Sequence, residues 1–304
     1  MSEITTDIKN LELETLNNLK RSKAQNTLRA YQADFKDFKL FCIKNGLVAL
    51  PTEPKILSIY LTHLSSFCKF STLKRRLASI KVIHKIKGHY LDTKHPIITE
   101  NLLGIKRIHG VKQKSKKPLL INDLKIIINQ INEEKNETKK LKNKSLILIG
   151  FAGGFRRSEL VSIEYDDVDF VPEGVKIFIK RSKTDQTGEG MTKAIPYFEN
   201  SSYCPVISLK QWIEIASIKS GKIFNISDKS VALIIKKYAL LAGLDYTKYA
   251  GHSLRSGFAT STAEMGADER SIMAMTGHKT TQMVRRYIQE ANLFKNNALN
   301  KIKF

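Results

Sequence analysis

A basic stretch between residues 106 and 118 constrains the fold of this chain more than any other sequence feature. It reads KRIHGVKQKSKKP, with few apolar residues, many positive charges and a closing proline, a composition typical of an interdomain linker. Because 304 residues are also long for one hydrophobic core, we expect two domains. The predicted division is a short extension at 1–20, a helical domain at 21–110, a basic linker at 111–117 and a second domain at 118–304.

Apolar residues recur at three- and four-residue steps through most of the first domain, which predicts four or five helices. We expect these helices from Asn26 to Gly46, after Pro54, after Ser71 and over about 97–108. The third helix carries its basic residues on the face opposite its apolar ones. These basic residues are Lys74, Arg75, Lys81 and Lys85.

The second domain changes character along its length. Helices are expected from Asn122 and from about Lys140, and the apolar run near 146–155 predicts a buried core segment, since it is about half the length that crosses a bilayer. Alternating apolar residues then predict a small antiparallel sheet. Its expected strands are Val168–Val171, Val175–Arg181 and Met191–Tyr197. Helical spacing returns after Val206, so the fold class is mainly α with a small antiparallel β-sheet.

The charge balance indicates the kind of partner. The chain has 51 Lys and Arg against 29 Asp and Glu, a formal net charge of +22, which favours a polyanion such as nucleic acid. An anionic membrane surface is the rival, but the chain has neither a basic amphipathic helix with exposed aromatic residues nor a lipidation signal. Three widely separated cysteines suggest neither disulfides nor a zinc site, and the N-terminus is not a secretory signal, so we expect a cytoplasmic protein.

The second domain contains the residue types that phosphodiester chemistry requires. Cleavage needs a nucleophile, a proton donor for the leaving oxygen and several cations around the non-bridging oxygens. These occur in order as Gly154-Phe155-Arg156, Arg181-Ser182-Lys183-Thr184, His252-Ser253-Leu254-Arg255, Gly277-His278 and Tyr287. Each motif alone is weak, and their joint order carries the hypothesis. The two histidines do not suggest a metal site, because no HExxH motif or Cys/His cluster surrounds them.

In this order of motifs the chain resembles the tyrosine recombinase (phage integrase) family, and it is similar to the simple Cre-like and Xer-like enzymes. The resemblance runs from about Ser22 to the C-terminus and includes the stretch NTLRAY at 26–31. The family pattern of Arg, sheet-borne Lys, His-x-x-Arg, His or Trp, and Tyr is complete. It maps onto Arg156, Lys183, His252, Arg255, His278 and Tyr287.

The resemblance implies a two-domain C-shaped clamp and cleavage through a 3′-phosphotyrosyl bond to Tyr287, with no cofactor and no metal. Arg156 and Arg255 would hold the scissile phosphate, and His278 would donate to a phosphate oxygen. His252 would act near the nucleophile, and Lys183 would protonate the leaving 5′-oxygen. Three further basic residues lie near Lys183 and compete for that assignment: Lys180, Arg181 and Lys193. Glu159 is expected to support the site.

The resemblance also implies double-stranded DNA as partner, with a dimer on each site, a tetramer in synapsis, no membrane and a place at the nucleoid. The expected DNA contacts are Lys74, Arg75, Lys81, Lys85, Lys112 and Lys114. The tail at 291–304 would form a helix that docks on a neighbouring protomer or caps its own domain. Alternatives are a type IB topoisomerase-like or hairpin-telomere resolvase activity, or a non-enzymatic DNA-binding regulator.

Overall fold

The computed structural model describes residues 24–110, 116–182, 185, 188–291 and 298–302, together with residues 7, 10, 11, 13, 14 and 18. The chain divides into two compact units, Met1–Lys114 and Ser115–Phe304. Helices dominate the described parts of both units, and the second also contains a three-stranded antiparallel sheet. The predicted fold class, mainly α with a small sheet, is therefore confirmed. None of the described helices is long and apolar enough to cross a membrane.

The first unit is built from four described helices around one apolar core. They are α1 (Gln25–Lys44), α2 (Pro54–Ser65), α3 (Phe70–Ile86) and α4 (Pro96–His109). Phe38, Tyr60 and Leu73 are fully buried in this core. The expected start after Ser71 is wrong: α3 begins at Phe70, which packs against the core. Helix α1 likewise begins at Gln25 rather than after Asn26.

A polar network also joins α3 to α1 in the first unit. Asp34, which is 4% exposed, accepts a hydrogen bond from Ser79 Oγ at 2.7 Å and forms an ion pair with Arg75. Arg76 donates through Nη1 to Asp37 and to the hydroxyl of Tyr60. The arginines of α3 that face α1 are therefore matched by carboxylates.

The second unit places its sheet and helices around a larger core. Its helices are α5 (Ile121–Asn132), α6 (Glu137–Ala152), α7 (Arg157–Leu160), α8 (Pro205–Ile215), α9 (Asp228–Leu241), α10 (Ser253–Glu264), α11 (Glu269–Thr276) and α12 (Thr281–Ala291). The strands β1 (Val168–Val171), β2 (Gly174–Ile179) and β3 (Met191–Pro196) pair in the order β1-β2-β3. In this register Ile177 lies opposite both Val168 and Lys193. The apolar run expected to be core is buried along α6.

Helices α10, α11 and α12 form a second, smaller core in this unit. Ala259, Ile272 and Val284 are its buried residues, together with Ala263. Helix α10 approaches the chain before α5 closely, since a Cβ on Gly257 would lie 2.0 Å from the carbonyl oxygen of Leu119. In the expected tail, 298–301 form a 3-10 turn, while residues 292–297, 303 and 304 lie outside the described residues.

Candidate active site

The turn after α6 carries Arg156 and is shaped by a glycine. Gly154 has a φ of +53°, and a Cβ there would lie 3.0 Å from the Phe258 ring, so the position favours glycine. Arg156 follows as the N-cap of α7. Its backbone N–H donates to Glu159 Oε2 at 2.9 Å, and its Nη1 donates to Glu159 Oε1 at 2.6 Å. The buried Glu159 thus fixes both the backbone and the guanidinium of Arg156.

Arg255 projects from α10 into the same region and is only 1% exposed. Its Nη1 donates to the Gly154 carbonyl at 2.8 Å, which ties α10 to the turn that carries Arg156. Its Nε and Nη2 are buried without a hydrogen-bond partner among the described residues. Burial, and then the charge of Arg156, lower the pKa of Arg255 to about 10 although Glu159 opposes this. Because unsatisfied buried donors are costly, this guanidinium is suited to an anionic acceptor from outside the protein.

His278 lies directly after the end of α11. The preceding Gly277 has a φ of +62° and turns the chain so that the His278 ring is only 8% exposed. Its Nδ1 lies 2.7 Å from Thr276 Oγ1. Burial, followed by the charges of Arg255 and Arg156, lowers the pKa of His278 to about 4. The ring is therefore neutral at pH 7 in the free protein.

His252 occupies the N-cap position of α10, with its side chain exposed at the rim of the cluster. Desolvation by the surrounding protein lowers the pKa of His252 below its ordinary value, and the charges of Arg255, Arg156 and Arg157 lower it further. Both histidines of the sequence pattern therefore lie in the field of the same arginines.

Tyr287 lies on α12 and packs, half-buried, against the small core formed by α10, α11 and α12. The centroids of the Tyr287 and His278 rings are 6.2 Å apart. The Tyr287 hydroxyl also interacts electrostatically with Arg255. The structure thus brings five of the expected site residues into one cluster: Arg156, His252, Arg255, His278 and Tyr287. Lys183 lies outside the described residues.

Lys193 belongs to this cluster, although the sequence analysis kept it only as an alternative to Lys183. It is 1% exposed, and its Nζ donates to the carbonyl oxygens of Gly153 and Met275, each at 2.6 Å. Its Nζ also lies 4.4 Å from the centroid of the Phe155 ring. Burial lowers the pKa of Lys193 to about 7, with Glu159 opposing the effect. Lys193 therefore joins the turn before Arg156 to the end of α11 before His278.

A signal for this burial was present in the sequence. Side chains alternate across a strand, so Lys193 shares a face with Ile195, which is 1% exposed. A lysine on the apolar face of a strand indicates a buried ammonium with its own acceptors. Two carbonyl oxygens accept from Lys193 Nζ, so its described contacts hold parts of the site together.

The expected DNA-binding residues differ in how they are held. Lys74, Lys81 and Lys85 are exposed, and their spacing places them along one stripe of α3. Arg75 is exposed as well, but it is paired with Asp34. Lys112 and Lys114 lie outside the described residues.

The arrangement is suited to neutralising a phosphodiester. Two guanidiniums and two imidazoles interact electrostatically in one cluster, Tyr287 lies beside Arg255 and His278, and Glu159 is engaged by Arg156. In the described parts of the chain, no group of three or more His, Cys, Asp or Glu side chains could hold a metal ion.

Comparison with known proteins assigns the class. A model of the phage integrase family matches residues 121–293, which contain all the clustered residues. The chain belongs to the phage integrase family.

Individual relatives show which members of this family the chain is similar to. An integrase/recombinase XerD homolog of Selenomonas ruminantium is 42% identical over 307 residues, covering 96% of this chain and 89% of the relative. The tyrosine recombinase XerC of Staphylococcus aureus strain bovine RF122 / ET3-1 is 26% identical and covers 91% of each chain. The predicted resemblance to Xer-like tyrosine recombinases is confirmed.

Solved structures agree on the fold. The XerH site-specific recombinase in a post-cleavage complex with palindromic difH substrate superposes with a TM-score of 0.62 at 18% identity, covering 81% of this chain and 73% of that one. A lambda integrase (75-356) dimer bound to a COC' core site gives 0.60 at 19% identity, covering 97% and 98%.

Proposed function

We propose that this protein is a site-specific DNA recombinase that cuts and rejoins DNA strands through a 3′-phosphotyrosyl intermediate on Tyr287. The observation that carries the proposal is the buried Arg255, whose Nε and Nη2 have no acceptor in the described protein and whose charge acts on Tyr287. A scissile phosphate at this point would supply the acceptor. Membership of the phage integrase family supports the same reaction.

Each clustered side chain has a role that its chemistry permits. Arg156 and Arg255 hold the non-bridging oxygens, because planar guanidiniums match phosphate geometry. The phenolic oxygen of Tyr287 attacks phosphorus and releases its proton to His252, while the bond from phosphorus to the 5′-oxygen breaks. His278 donates to a phosphate oxygen. A 5′-hydroxyl of a partner strand then reverses the step, and the energy of the ester is retained.

Lys183 remains our candidate for the proton donor to the leaving 5′-oxygen. Two of its competitors are engaged elsewhere: Lys193 Nζ donates to two carbonyl oxygens, and Lys180 Nζ pairs with Glu164 and Asp167. Lys183 lies between β2 and β3 in the sequence, next to Ser182. Because Lys193 and Lys180 have partners within the protein, fewer lysines are available to reach a substrate, which supports the assignment of Lys183 as the proton donor.

The proposed partner is double-stranded DNA, with a dimer on each site and a tetramer in synapsis. This is supported by the lambda integrase structures, a dimer on a core site and a tetramer on a Holliday junction, the latter with a TM-score of 0.57 at 19% identity over 92% of this chain and 75% of that one. The protein would then act at the nucleoid, where its substrate is.

The alternatives are not favoured. Relatives that span most of this chain are named as recombinases, which supports strand exchange over the relaxation or hairpin formation of a topoisomerase-like enzyme or resolvase. A non-enzymatic regulator would not need the full set of clustered residues. Exchange between two duplex sites, measured beside relaxation of one supercoiled plasmid, separates these activities.

The direct test is a covalent adduct. The DNA site is first selected from random duplexes and then supplied with a nick near the cleavage position, so that the cut strand is lost and religation fails. Wild-type protein should form an adduct that survives denaturation, whereas Tyr287→Phe should bind the same DNA and form none. Tyr246→Phe, an exposed tyrosine of the same unit, is the matched control and should behave as wild type. Adduct formed by Tyr287→Phe would overturn the proposal.

A further inference from the structure

Thr276 makes two hydrogen-bond contacts that together determine where the protons of the neighbouring histidine lie. It is the last residue of α11 and is fully buried. Its Oγ1 lies 2.6 Å from the carbonyl oxygen of Ile272 and 2.7 Å from His278 Nδ1. A hydroxyl has one proton, and a carbonyl oxygen can only accept.

The shorter contact places that proton. Two oxygens 2.6 Å apart, one of them a carbonyl, require the hydroxyl proton between them. The hydroxyl oxygen can then only accept from His278, so Nδ1 must carry a hydrogen. In a neutral imidazole a single nitrogen is protonated, and Nε2 is left with a lone pair.

We propose that Thr276 is a positioning residue that fixes neutral His278 as the Nδ1–H tautomer, so that the ring becomes a donor to phosphate only after DNA binding adds a proton at Nε2. This rests on the proposed function for the identity of the bound anion. The tautomer itself is independent of any activity.

The groups around the His278 ring explain why this proton arrives with the substrate. Arg255 from α10 and Arg156 before α7 are cationic, Lys193 from β3 adds positive charge when it is protonated, and His252 lies at the start of α10. Tyr287 faces the ring from α12, and the exposed Lys279 follows it in the chain. In the free protein these charges oppose a further positive charge. A phosphodiester anion between the arginines offsets part of this positive charge, and its oxygens accept from His278 only when Nε2 is protonated.

The first experiment measures the tautomer directly. Long-range ¹H–¹⁵N correlation spectra of the imidazoles distinguish Nδ1–H from Nε2–H, and the His278 signals are those missing in His278→Gln. Wild type and Thr276→Ser, which keeps the hydroxyl, should show Nδ1–H. Thr276→Val, which has nearly the same shape but no hydroxyl, should shift His278 toward Nε2–H. An Nε2–H ring in the wild type would overturn the proposal without any variant.

The second experiment tests the consequence for the reaction. Adduct formation on the nicked substrate is measured against pH for the wild type, Thr276→Ser and Thr276→Val. In the pH range where His278 is mostly neutral, the Nδ1–H ring cannot donate to the phosphate. The rate should therefore fall by about tenfold for each unit that the pH rises, in the wild type and in Thr276→Ser. Thr276→Val should fall less, because its neutral ring can carry the proton at Nε2, so the ratio of Val to wild-type rates should rise with pH.

A purely structural role for Thr276 predicts another result. The rate of Thr276→Val would then be lower by the same factor at every pH, and parallel profiles would overturn the proposal. If wild-type protein forms no adduct at any pH, the recombinase function fails, while the imidazole spectra still decide the assignment of Thr276.

Discussion

Each unit of this protein contains an arginine that is largely withdrawn from solvent, Arg76 at 16% and Arg255 at 1% exposure, and the two have opposite surroundings. In the first unit Arg76 donates to Asp37 and to the Tyr60 hydroxyl; its Nε has no hydrogen-bond partner among the described residues but lies 3.8 Å from Asp34 Oδ1, within ion-pair distance. Burial alone would lower the pKa of Arg76, but the hydrogen bonds with Tyr60 and Asp37 outweigh it and raise that pKa. The charge of Arg76 is therefore stabilised within the fold.

In the second unit the surroundings of Arg255 have the reverse effect. It has one carbonyl acceptor, two buried donors without partners in the described structure, and a pKa lowered to about 10 by burial and by Arg156. The difference in available acceptors distinguishes a structural arginine, Arg76, from one suited to a ligand, Arg255. A buried cation matched by carboxylates holds a fold together, whereas one left short of acceptors indicates an anionic ligand.

The largest expected effect follows from replacing Arg255 by methionine. Arg255→Met should reduce the rate of adduct formation by about 10²–10³-fold, the usual loss on removing one charge-stabilising donor. The melting temperature should not fall below that of the wild type, because the variant removes a buried charge that lacks acceptors. Single-turnover cleavage and thermal unfolding in the absence of DNA measure the two quantities.

The same change in the first unit is the matched control, and its effects should be reversed. Arg76→Met leaves Asp34 and Asp37 without this partner, so the first unit should lose about 2–3 kcal/mol of unfolding free energy. Hydrogen exchange of α1 and α3 should accelerate, while the cleavage rate at saturating DNA should change little. Equal losses of stability in the two variants would contradict the comparison between the units.

The sequence predicted those features that depend on local pattern. The helices of the first unit and the three strands follow apolar spacing, so their positions agree within a few residues. Their first residues were less predictable, as Phe70 shows, because packing against the core decides where a helix begins. The order of motifs from Arg156 to Tyr287 was likewise readable, since it is a property of the chain alone.

Contacts between distant residues could not be predicted in the same way. Lys193 reaches Gly153 and Met275, and Arg75 reaches Asp34, across long separations in the sequence. Nothing in the local pattern of α3 distinguishes the paired Arg75 from the exposed Lys74. The sequence analysis therefore placed Lys74 and Arg75 in one group because both are basic, although among the described residues only Arg75 has a carboxylate partner.

The difference between the exposed lysines of α3 and the paired Arg75 should produce a smaller, measurable effect on the salt dependence of DNA binding. Each neutralised phosphate contributes about −0.9 to the slope of log affinity against log salt, so replacing Lys74, Lys81 and Lys85 together by glutamine should flatten the slope by about two to three units. Arg75→Gln is the matched control on the same helix, and it should change the slope less, because its charge is engaged by Asp34. If Arg75→Gln has the larger effect per residue, the paired arginine contacts DNA.

The smallest expected effect compares two neutral histidines, one in each unit. His84 is fully buried: its Nδ1 donates to the Ile80 carbonyl at 2.9 Å, and its Nε2 accepts from Thr52 N–H at 3.1 Å. Its ring is thus the same tautomer that we assign to His278, but its Nε2 is already occupied. Burial lowers the pKa of both rings, for His84 below its ordinary value and for His278 to about 4.

Because the folded-state pKa of His84 is depressed, its stabilising contribution is complete above the unfolded value of about 6.5 and is lost as pH falls through the folded-state pKa. The protection factors of the amides in α2 and α3, which correct for the slower intrinsic exchange in acid, should therefore decrease on acidification, whether or not DNA is present, and His84→Gln should reduce this dependence. Around His278 bound DNA supplies negative charge, so acidification should cost α11 and α12 less protection in the complex than in the free protein. DNA that protected the surroundings of His84 and of His278 equally against acid would contradict the assignment of the buried anion site to the His278 cluster.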